Sequence, residues 1–355
     1  MDAQPALPGL LGVRLPILQA AMAGVSTPAM AAVSNAGALG SLSVGATDHH
    51  GARALILAVR ELTRAPVAIN VFAHAPAVAD PAVEAAWIER LRPAFAEFGA
   101  TPPQVLTEIY RSFVDDQAMF RLMLEMRPAV LSFHFGLPPV DWVAELRRAG
   151  SVLLATATSL AEAEAAVRAG VHAVVAQGWE AGGHRGVFDP DAPDERIETL
   201  PLVRLLSRAI GVPVIAAGGI MTGGHIAEAM RAGAAGAQLG TAFVAADESL
   251  ANRAYREALV GEAGRRTVMT RAISGRPARG LPTRFTELTA EATSDQVPAY
   301  PLAYDIVKAL NEAATTKGEP GFGVRWAGTG APLARALPAA EIVRRLEAEL
   351  RDAIA

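Results

Sequence analysis

The sequence predicts an α/β fold: an eight-stranded β/α (TIM) barrel with a smaller, mainly helical substrate or cap domain. Short apolar, β-branched runs alternate with helical patterns, as in parallel sheets with crossover helices. Several helical patterns end in Ala-Gly directly before such a run, which is a typical helix stop. The alternating part fits the usual barrel size of about 250 residues. A doubly wound open sheet is the second choice.

The elements are expected in the following order. The predicted strands cover residues 15–22, 39–44, 66–72, 130–135, 152–157, 173–176, 214–217 and 237–239. Helical patterns between them cover residues 28–35, 49–62, 139–148, 160–168, 200–210 and 225–231, and a closing helix is expected near the end, over residues 339–353.

Two segments are additional to the eight β/α units of a minimal barrel. Residues 80–127 hold two or three helical patterns between the third and fourth strands, and residues after about 251 show no clear strand alternation. We therefore assign residues 1–79 and 128–250 to the barrel. Residues 80–127 are interpreted as a helical insertion, and residues 251–355 as a C-terminal cap and closing segment.

Composition excludes several classes of protein. A formal net charge of −4 gives no basic excess, so neither nucleic acid nor an anionic membrane is an expected partner. The chain has no cysteine, which excludes disulfides, a thiolate nucleophile and an iron–sulfur cluster. No apolar run approaches the ~20 residues of a membrane span, and the N-terminus lacks the pattern of a signal peptide. We therefore expect a soluble cytoplasmic protein.

The loop after the sixth predicted strand carries the most chemistry. Residues 177–186 read Q-G-W-E-A-G-G-H-R-G, so Glu180, His184 and Arg185 stand among glycines. Glycine lets backbone turn sharply and lie flat against a ligand. Active sites of β/α barrels lie at the carboxyl ends of the strands. The order strand, glutamine, glycines and histidine therefore favours a functional site over a solvated turn.

Two later segments indicate a phosphate site. Residues 216–220 read A-A-G-G-I and residues 238–241 read Q-L-G-T, and they end the seventh and eighth predicted strands. The loops after these strands often bind phosphate through backbone N–H groups. Gly218 and Gly219 would allow a close approach, and the Thr241 hydroxyl could donate a hydrogen bond. Tight turns that serve only packing are the alternative, but the presence of both loops favours a phosphate site.

Three further polar residues are predicted at or near strand ends. Asn70 and Gln177 carry carboxamides, which both donate and accept hydrogen bonds and therefore suit the edge of a flavin ring. His134 lies in the fourth strand, and alternation places it on the face opposite Phe133 and Phe135. It faces either the barrel interior or the covering helices. We favour the interior, where it would contact substrate.

The other histidines are interpreted as structural or solvated. His49, His50 and His225 lie near predicted helix starts, His74 lies in a loop, and His172 precedes a strand. No spacing of His, Asp and Glu matches a metal site, so we expect no metal. The nucleophile-elbow and P-loop motifs are absent from the sequence.

Several strings of the sequence resemble the nitronate monooxygenase family, formerly called 2-nitropropane dioxygenases. The resemblance extends from about residue 15 to residue 326. Q-G-x-E-A-G-G-H-x-G is highly specific for this superfamily, and S-F-H-F-G indicates its class I. The strings are Q-A-A-M-A-G (19–24), A-I-N-V-F (68–72), S-F-H-F-G (132–136), Q-G-W-E-A-G-G-H-R-G, A-A-G-G-I, Q-L-G-T and W-A-G-T-G (326–330).

The resemblance implies a β/α barrel that binds FMN and oxidises alkyl nitronates with O2, giving a carbonyl compound and nitrite. Nitroalkanes are a further candidate substrate. His184 corresponds to the family's catalytic histidine, while His134 and Arg185 are expected to contact the substrate. The residues expected to bind FMN are Met22, Ala23, Asn70, Gln177, Gly182, Gly183, Gly218, Gly219, Gln238, Leu239, Gly240 and Thr241.

Two positions depart from the family pattern, and two other functions stay open. Ala21 stands where proline is usual, and Thr329 where glutamine is usual, so the substrate is less defined than the cofactor. The alternatives are an FMN- and NAD(P)H-dependent enoyl-acyl-carrier-protein reductase and a non-catalytic flavin-binding module. The sequence leaves open the physiological substrate, homo-oligomer formation, and whether His184 is a base or a hydrogen-bond donor.

Overall fold

The structure, a computed structural model, describes residues 6–355. Within this range there are eleven strands, of which eight form one parallel sheet. The expectation about a signal peptide concerns partly residues 1–5, which lie outside the described residues. The strands are β1 (Ile17–Gln19), β2 (Gly40–Ser43), β3 (Val67–Phe72), β4 (Val130–His134), β5 (Val152–Ala157), β6 (Ala173–Gln177), β7 (Gly183–His184), β8 (Val214–Ala217), β9 (Gly236–Leu239), β10 (Val268–Thr270) and β11 (Ala278–Gly280).

The eight-stranded sheet closes into a barrel. Its order is β1-β9-β8-β6-β5-β4-β3-β2, with neighbouring strands parallel. The two end strands meet at Leu39, whose N–H donates to the Ile17 carbonyl at 2.9 Å and whose carbonyl accepts from the Gln19 N–H at 2.8 Å. The predicted barrel is therefore confirmed over the open sheet, and each of the eight predicted strands overlaps an observed one.

Helices follow most of the barrel strands. Fourteen α-helices occur in the described residues, and the predicted helix over 49–62 matches its observed bounds. They are α1 (Leu7–Leu11), α2 (Ala31–Asn35), α3 (His49–Leu62), α4 (Pro81–Glu97), α5 (Gln117–Met126), α6 (Val140–Arg148), α7 (Leu160–Ala169), α8 (Thr199–Ala209), α9 (Gly223–Arg231), α10 (Thr241–Val244), α11 (Arg253–Val260), α12 (Arg284–Leu288), α13 (Leu302–Thr316) and α14 (Ala339–Ile354).

Local chemistry sets the helix ends. The Asp48, Ser159 and Thr222 side chains accept N-terminal backbone hydrogen bonds of α3, α7 and α9. The Ala-Gly stops behave as expected, because Gly170 ends α7 at φ +101° and Gly233 follows α9 at φ +112°. No helix within residues 6–355 is both long and apolar enough to cross a bilayer.

Apolar side chains fill the barrel interior below the carboxyl ends of the strands. Leu18, Leu154 and Ile215 belong to a buried inner layer, and α1 packs Leu7 and Leu11 against the same layer. A larger apolar cluster fills the space between the strands and the surrounding helices. A cavity large enough for a ligand lies above the inner layer, at the end of the barrel where the strand carboxyl ends meet.

A second apolar cluster forms the cap beside the barrel mouth. Helices α4 and α13 contact each other, and Trp87, Leu91 and Phe95 of α4 share this cluster with Ile306 and Leu310 of α13. All five side chains are buried. The cap therefore has an apolar core of its own.

A three-stranded antiparallel sheet, β10-β11-β7, joins the cap to the histidine loop. The sequence showed no clear strand alternation after about residue 251, so β10 and β11 were not predicted. Strands of two or three residues are too short to show alternation, and β7 consists of only Gly183 and His184. Pairing of Ala278 with His184 places the loop of β6 beside the C-terminal segment.

Both segments that were set apart from the barrel contribute helices to its wall. Within 80–127, α5 contacts α3 and α6, and its apolar side chains belong to the main barrel cluster. Within 251–355, α14 contacts α9 and α2. The division of the chain into two domains stays a prediction.

Candidate active site

A cavity of about 590 Å³ lies at the carboxyl ends of the barrel strands. Leu18, Ala68 and Leu154 of the inner layer line its base, and α13 and the segment at Trp326 line it from the cap. This volume falls in the range of about 300–1,000 Å³ that is usual for ligand sites. Apart from two histidines, Lys308 is the one acidic or basic side chain among its described lining residues.

The cavity brings together most of the residues that the sequence predicted for it. Leu239 and Arg185 are the two that do not line it. Leu239 ends β9 and belongs to the apolar cluster between strands and helices, where it is buried. The predicted residues that line the cavity are Met22, Ala23, Asn70, His134, Gln177, Gly182, Gly183, His184, Gly218, Gly219, Gln238, Gly240 and Thr241.

Arg185 lies behind the loop. Its side chain is 0 % exposed, and Nε and Nη2 donate to the two carboxylate oxygens of Asp194 at 2.7 and 3.0 Å. Nη1 donates to the carbonyl oxygens of Gln177 and Gly178 at 3.0 and 2.9 Å. The guanidinium also lies 5.4 Å from the centre of the Trp179 ring. The expected substrate contact is therefore corrected: these bonds direct Arg185 to the loop backbone and Asp194, away from the cavity.

The Gln177 carboxamide connects the end of β6 to the histidine segment. Nε2 donates to the His184 carbonyl oxygen at 2.9 Å, and Oε1 accepts from the Gly186 N–H at 2.7 Å. The residue is buried and also lines the cavity. Gln177 therefore fixes the position of His184 as well as forming part of the cavity wall.

His184 is held by its backbone and by its ring. The backbone pairs with Ala278 of β11, and Nε2 of the ring lies 2.8 Å from the Ser274 hydroxyl oxygen. The preceding Gly183 has φ +74°, a left-handed conformation that glycine adopts without strain. The turn at this glycine leads the chain from the loop into β7, which places the imidazole at the cavity wall.

Both cavity histidines are neutral near pH 7. Burial lowers the pKa of His184 to about 3, with further lowering by His134 and Arg276. Burial also lowers the pKa of His134 to about 4, with Arg276 as the next cause. Loss of water disfavours the charged form of an imidazole. Each ring therefore carries one proton, and each can offer one donor and one acceptor.

His134 and Phe135 both line the cavity. His134 Nδ1 lies 3.1 Å from the Thr156 hydroxyl oxygen, while Phe133 is fully buried in the cluster outside the barrel. The prediction that Phe135 lies opposite His134 is wrong. Phe135 has φ +76°, so the strand geometry that alternation requires ends at His134.

Glycines in the loops that follow β8 and β9 leave the backbone uncovered at the cavity wall. Gly218 and Gly219 have φ +126° and +68°. A Cβ on Gly219 would lie 3.5 Å from the Thr329 hydroxyl oxygen, so this loop packs closely on the W-A-G-T-G segment. The Thr241 hydroxyl oxygen accepts from the Gly328 N–H at 3.0 Å, and its hydrogen is available for another acceptor. Both glycine loops and the W-A-G-T-G segment therefore meet at one edge of the cavity.

The cap contributes aromatic and polar side chains that sequence reasoning missed. All four tyrosines of the chain line the cavity. Tyr304, Lys308 and Asn311 share one face of α13, and this polar stripe on an apolar helix is the signal that could have found them. The Lys308 ammonium lies 4.6 Å from the centre of the Tyr110 ring. The missed residues are Phe72 at the end of β3 and, from the two segments assigned to the cap, Tyr110, Tyr255, Tyr300, Tyr304, Lys308, Asn311 and Trp326.

The fold and the site define a β/α-barrel enzyme whose cavity at the strand carboxyl ends is covered by a cap and holds two neutral histidines. The family model described as nitronate monooxygenase matches residues 4–349. The chain therefore belongs to the nitronate monooxygenase family, and it is an oxidoreductase.

Three similar proteins support this assignment. A nitronate monooxygenase of Paraburkholderia phytofirmans is 58% identical, over 98% of this chain and 96% of that protein. One of Pseudomonas aeruginosa is 53% identical, over 96% of this chain and 98% of that protein. Among solved structures, a nitroalkane oxidase from Streptomyces ansochromogenes has a TM-score of 0.91 at 40% identity, covering 98% of this chain and 99% of its own.

Proposed function

We propose that this chain oxidises alkyl nitronates with O2, using FMN bound in the barrel cavity, and releases a carbonyl compound and nitrite. The observation that carries the proposal is the convergence of Asn70, Gln238, both glycine loops and His184 on one cavity. Family membership and the similarity to nitroalkane oxidase support the same chemistry. Nitroalkanes are a second substrate class in this proposal.

The residues at the barrel end fit a flavin mononucleotide. Gln238 lines the cavity, and its carboxamide has no hydrogen-bond partner within residues 6–355, so it is available to a ligand. Gly218 and Gly219 present backbone without side chains, which lets N–H groups approach a phosphate. No G-x-G-x-x-G string follows the first strand, which favours a mononucleotide over a dinucleotide.

Bound FMN would supply one-electron chemistry with O2, which amino-acid side chains cannot provide. The chain's own residues would bind and orient the anion. Lys308 gives the cavity a positive charge, and burial keeps the pKa of Tyr304 above its usual value, so its hydroxyl stays a donor. A neutral His184 offers one ring nitrogen to the nitro oxygens or to the α-proton of a nitroalkane. The aromatic side chains of the wall would limit the access of water to these groups.

Two other functions would give different results in enzyme assays and flavin spectra. The enoyl-acyl-carrier-protein reductase would need NAD(P)H and an enoyl thioester, and the S-F-H-F-G and W-A-G strings disfavour it. A non-catalytic flavin-binding module would show a flavin spectrum that changes with neither nitronate nor NAD(P)H.

One aerobic experiment tests the proposal. Purified protein is first analysed for released cofactor by mass spectrometry, and it is then given either propionate 3-nitronate or NAD(P)H with an enoyl thioester. We expect the released cofactor to be FMN. We expect O2 consumption and nitrite formation with the nitronate, and neither with NAD(P)H and the thioester. FAD, or no flavin after reconstitution, would contradict the cofactor assignment. Turnover of only the thioester mixture would favour the reductase.

A further inference from the structure

The His184 ring has one fixed side and one open side. Nε2 lies 2.8 Å from the Ser274 hydroxyl oxygen. Nδ1 has no hydrogen-bond partner among the described residues, and His184 lines the cavity. Nδ1 is therefore the ring nitrogen that is available to a bound substrate, and the partner on Nε2 decides whether Nδ1 carries the proton.

The hydroxyl of Ser274 has one hydrogen and two acceptors within reach. One is His184 Nε2 at 2.8 Å, and the other is the Arg276 carbonyl oxygen at 3.3 Å. Hydroxyl donors prefer acceptors at about 2.5–3.0 Å, so the shorter contact is the better bond. The Arg276 N–H donates to the same hydroxyl oxygen at 3.3 Å, which occupies one of its lone pairs. These contacts favour the hydroxyl hydrogen on the side of His184.

The His184 ring is neutral, so only one of its two nitrogens carries a proton. Burial lowers the pKa of His184 to about 3, and the neighbouring His134 and Arg276 lower it further. The Arg276 guanidinium is itself buried and stays charged, since its pKa is lowered only to about 10. The titratable or charged groups that face the ring are His134 of β4, Arg276 of the β10–β11 turn, and Tyr300 and Tyr304 at the start of α13.

We propose that Ser274 is a positioning residue that sets the tautomer of His184. Its hydroxyl donates to Nε2, which leaves the ring proton on Nδ1 and makes Nδ1 a hydrogen-bond donor to the substrate. In this tautomer Nδ1 has no free lone pair, so removal of the α-proton of a nitroalkane by Nδ1 would require the other tautomer, with the ring proton on Nε2. This assignment deepens the proposed function, but the tautomer itself is a property of the protein alone.

The turn that carries Ser274 holds its hydroxyl in place. Ser274 is fully buried, and its N–H donates to the Arg271 carbonyl at 3.1 Å. Gly275 follows at φ +95°, where a Cβ would lie 2.4 Å from the Tyr300 backbone nitrogen. A larger residue there would push the turn away from the approach to α13. The contact between Ser274 and His184 is thus set by the packing of the small sheet.

Nitrogen-15 NMR of histidine-labelled flavin-bound protein at neutral pH tests the tautomer directly. His184→Gln identifies the signals of His184. We expect a protonated Nδ1 and an unprotonated Nε2 in the unmodified protein. Ser274→Ala should move the proton population toward Nε2, and Ser274→Thr should restore Nδ1. A protonated Nε2 in the unmodified protein would overturn the proposal without the use of any variant.

Kinetics with propionate 3-nitronate provide the second measurement, which rests on the proposed function. Ser274→Ala should raise KM about 2- to 12-fold, the equivalent of one neutral hydrogen bond, with kcat nearly unchanged and recovery in Ser274→Thr. Ser151→Ala is the matched control, since this buried serine donates to the Pro128 carbonyl at 2.8 Å away from the cavity. If NMR shows the predicted tautomer but the protein does not turn over nitronate, the proposed function is contradicted and the tautomer assignment is not. An unchanged tautomer in Ser274→Ala would contradict the role of Ser274.

Discussion

Arg185 and Asp194 form a two-point ion pair beneath the histidine loop, with Nε–Oδ2 at 2.7 Å and Nη2–Oδ1 at 3.0 Å. The same guanidinium binds the carbonyl oxygens of Gln177 and Gly178, where β6 ends and the loop begins. A charged residue next to His184 in the sequence therefore stabilises the loop from behind, and the charge on the cavity wall comes from Lys308 in the cap.

Replacing this arginine should affect stability before it affects substrate binding. Arg185→Ala removes the charged partner of the Asp194 carboxylate and one donor to each of two loop carbonyls, so we expect the free energy of unfolding to fall by about 3 kcal/mol. Urea denaturation measures this change. Arg196→Ala is the control, because Arg196 lies 5.1 Å from the same Trp179 ring but is exposed. A stable Arg185→Ala protein with only a raised KM for nitronate would restore the substrate contact expected from the sequence.

The loop after β8 should tolerate no side chain. Gly219→Val combines a φ of +68° with a Cβ 3.2 Å from the Cβ of Glu180, so we expect loss of the bound flavin. Flavin absorbance per protein after gel filtration measures the occupancy. Gly224→Ala serves as control, since its nearest neighbour would be the Thr222 hydroxyl at 3.7 Å and it lies in α9. Full flavin content in Gly219→Val would place the phosphate elsewhere.

Local sequence predicted the barrel because each barrel strand is a short apolar run between recognisable helix stops. The runs at β5 and β6 are buried along most of their length, and Gly170 between them ends α7 in a left-handed conformation. These features depend on neighbours within a few residues. Local patterns did not reveal β10 and β11, which have three residues each and are defined by pairing: β11 pairs with β10 on one side and with Gly183 and His184 of β7 on the other.

The site was predictable where one loop supplies it and not where distant segments meet. The histidine loop and the two glycine loops could be recognised from their own residues. Tyr300 and Lys308 come from the cap, and only the packing of α13 over the barrel mouth brings them to the cavity. Arg185 was misassigned because its partner Asp194 is nine positions further along the chain, in a segment without a recognisable pattern.

Acid should destabilise the protein through its buried histidines. The His74 ring is fully buried and lies 4.9 Å from the Tyr300 ring, and burial followed by Arg276 lowers its pKa from 6.5 to about 3. Between these two values the unfolded chain binds a proton that the folded chain does not. The free energy of unfolding therefore falls as pH falls, by up to about 1.4 kcal/mol per pH unit from this histidine alone.

His74→Phe should make this dependence shallower. We expect urea denaturation at a series of pH values between about 6 and 4 to show a smaller loss of stability than in the unmodified protein. The same substitution at exposed His50 provides the comparison, because that imidazole contacts water in the folded protein as well. An unchanged slope in His74→Phe would show that this ring is already protonated in the folded state.

The most direct test of the account is the kinetics of His184→Ala on a nitroalkane and on its preformed nitronate, with FMN content measured in each preparation. Loss of a hydrogen bond to the nitro or nitronate oxygens should lower kcat/KM for both substrates, by about 10- to 100-fold for the anionic nitronate, mainly through KM. His49→Ala, outside the cavity, is the control. Selective loss of nitroalkane turnover would make His184 a base, and full activity of the FMN-loaded variant on both substrates would contradict a site built around this loop.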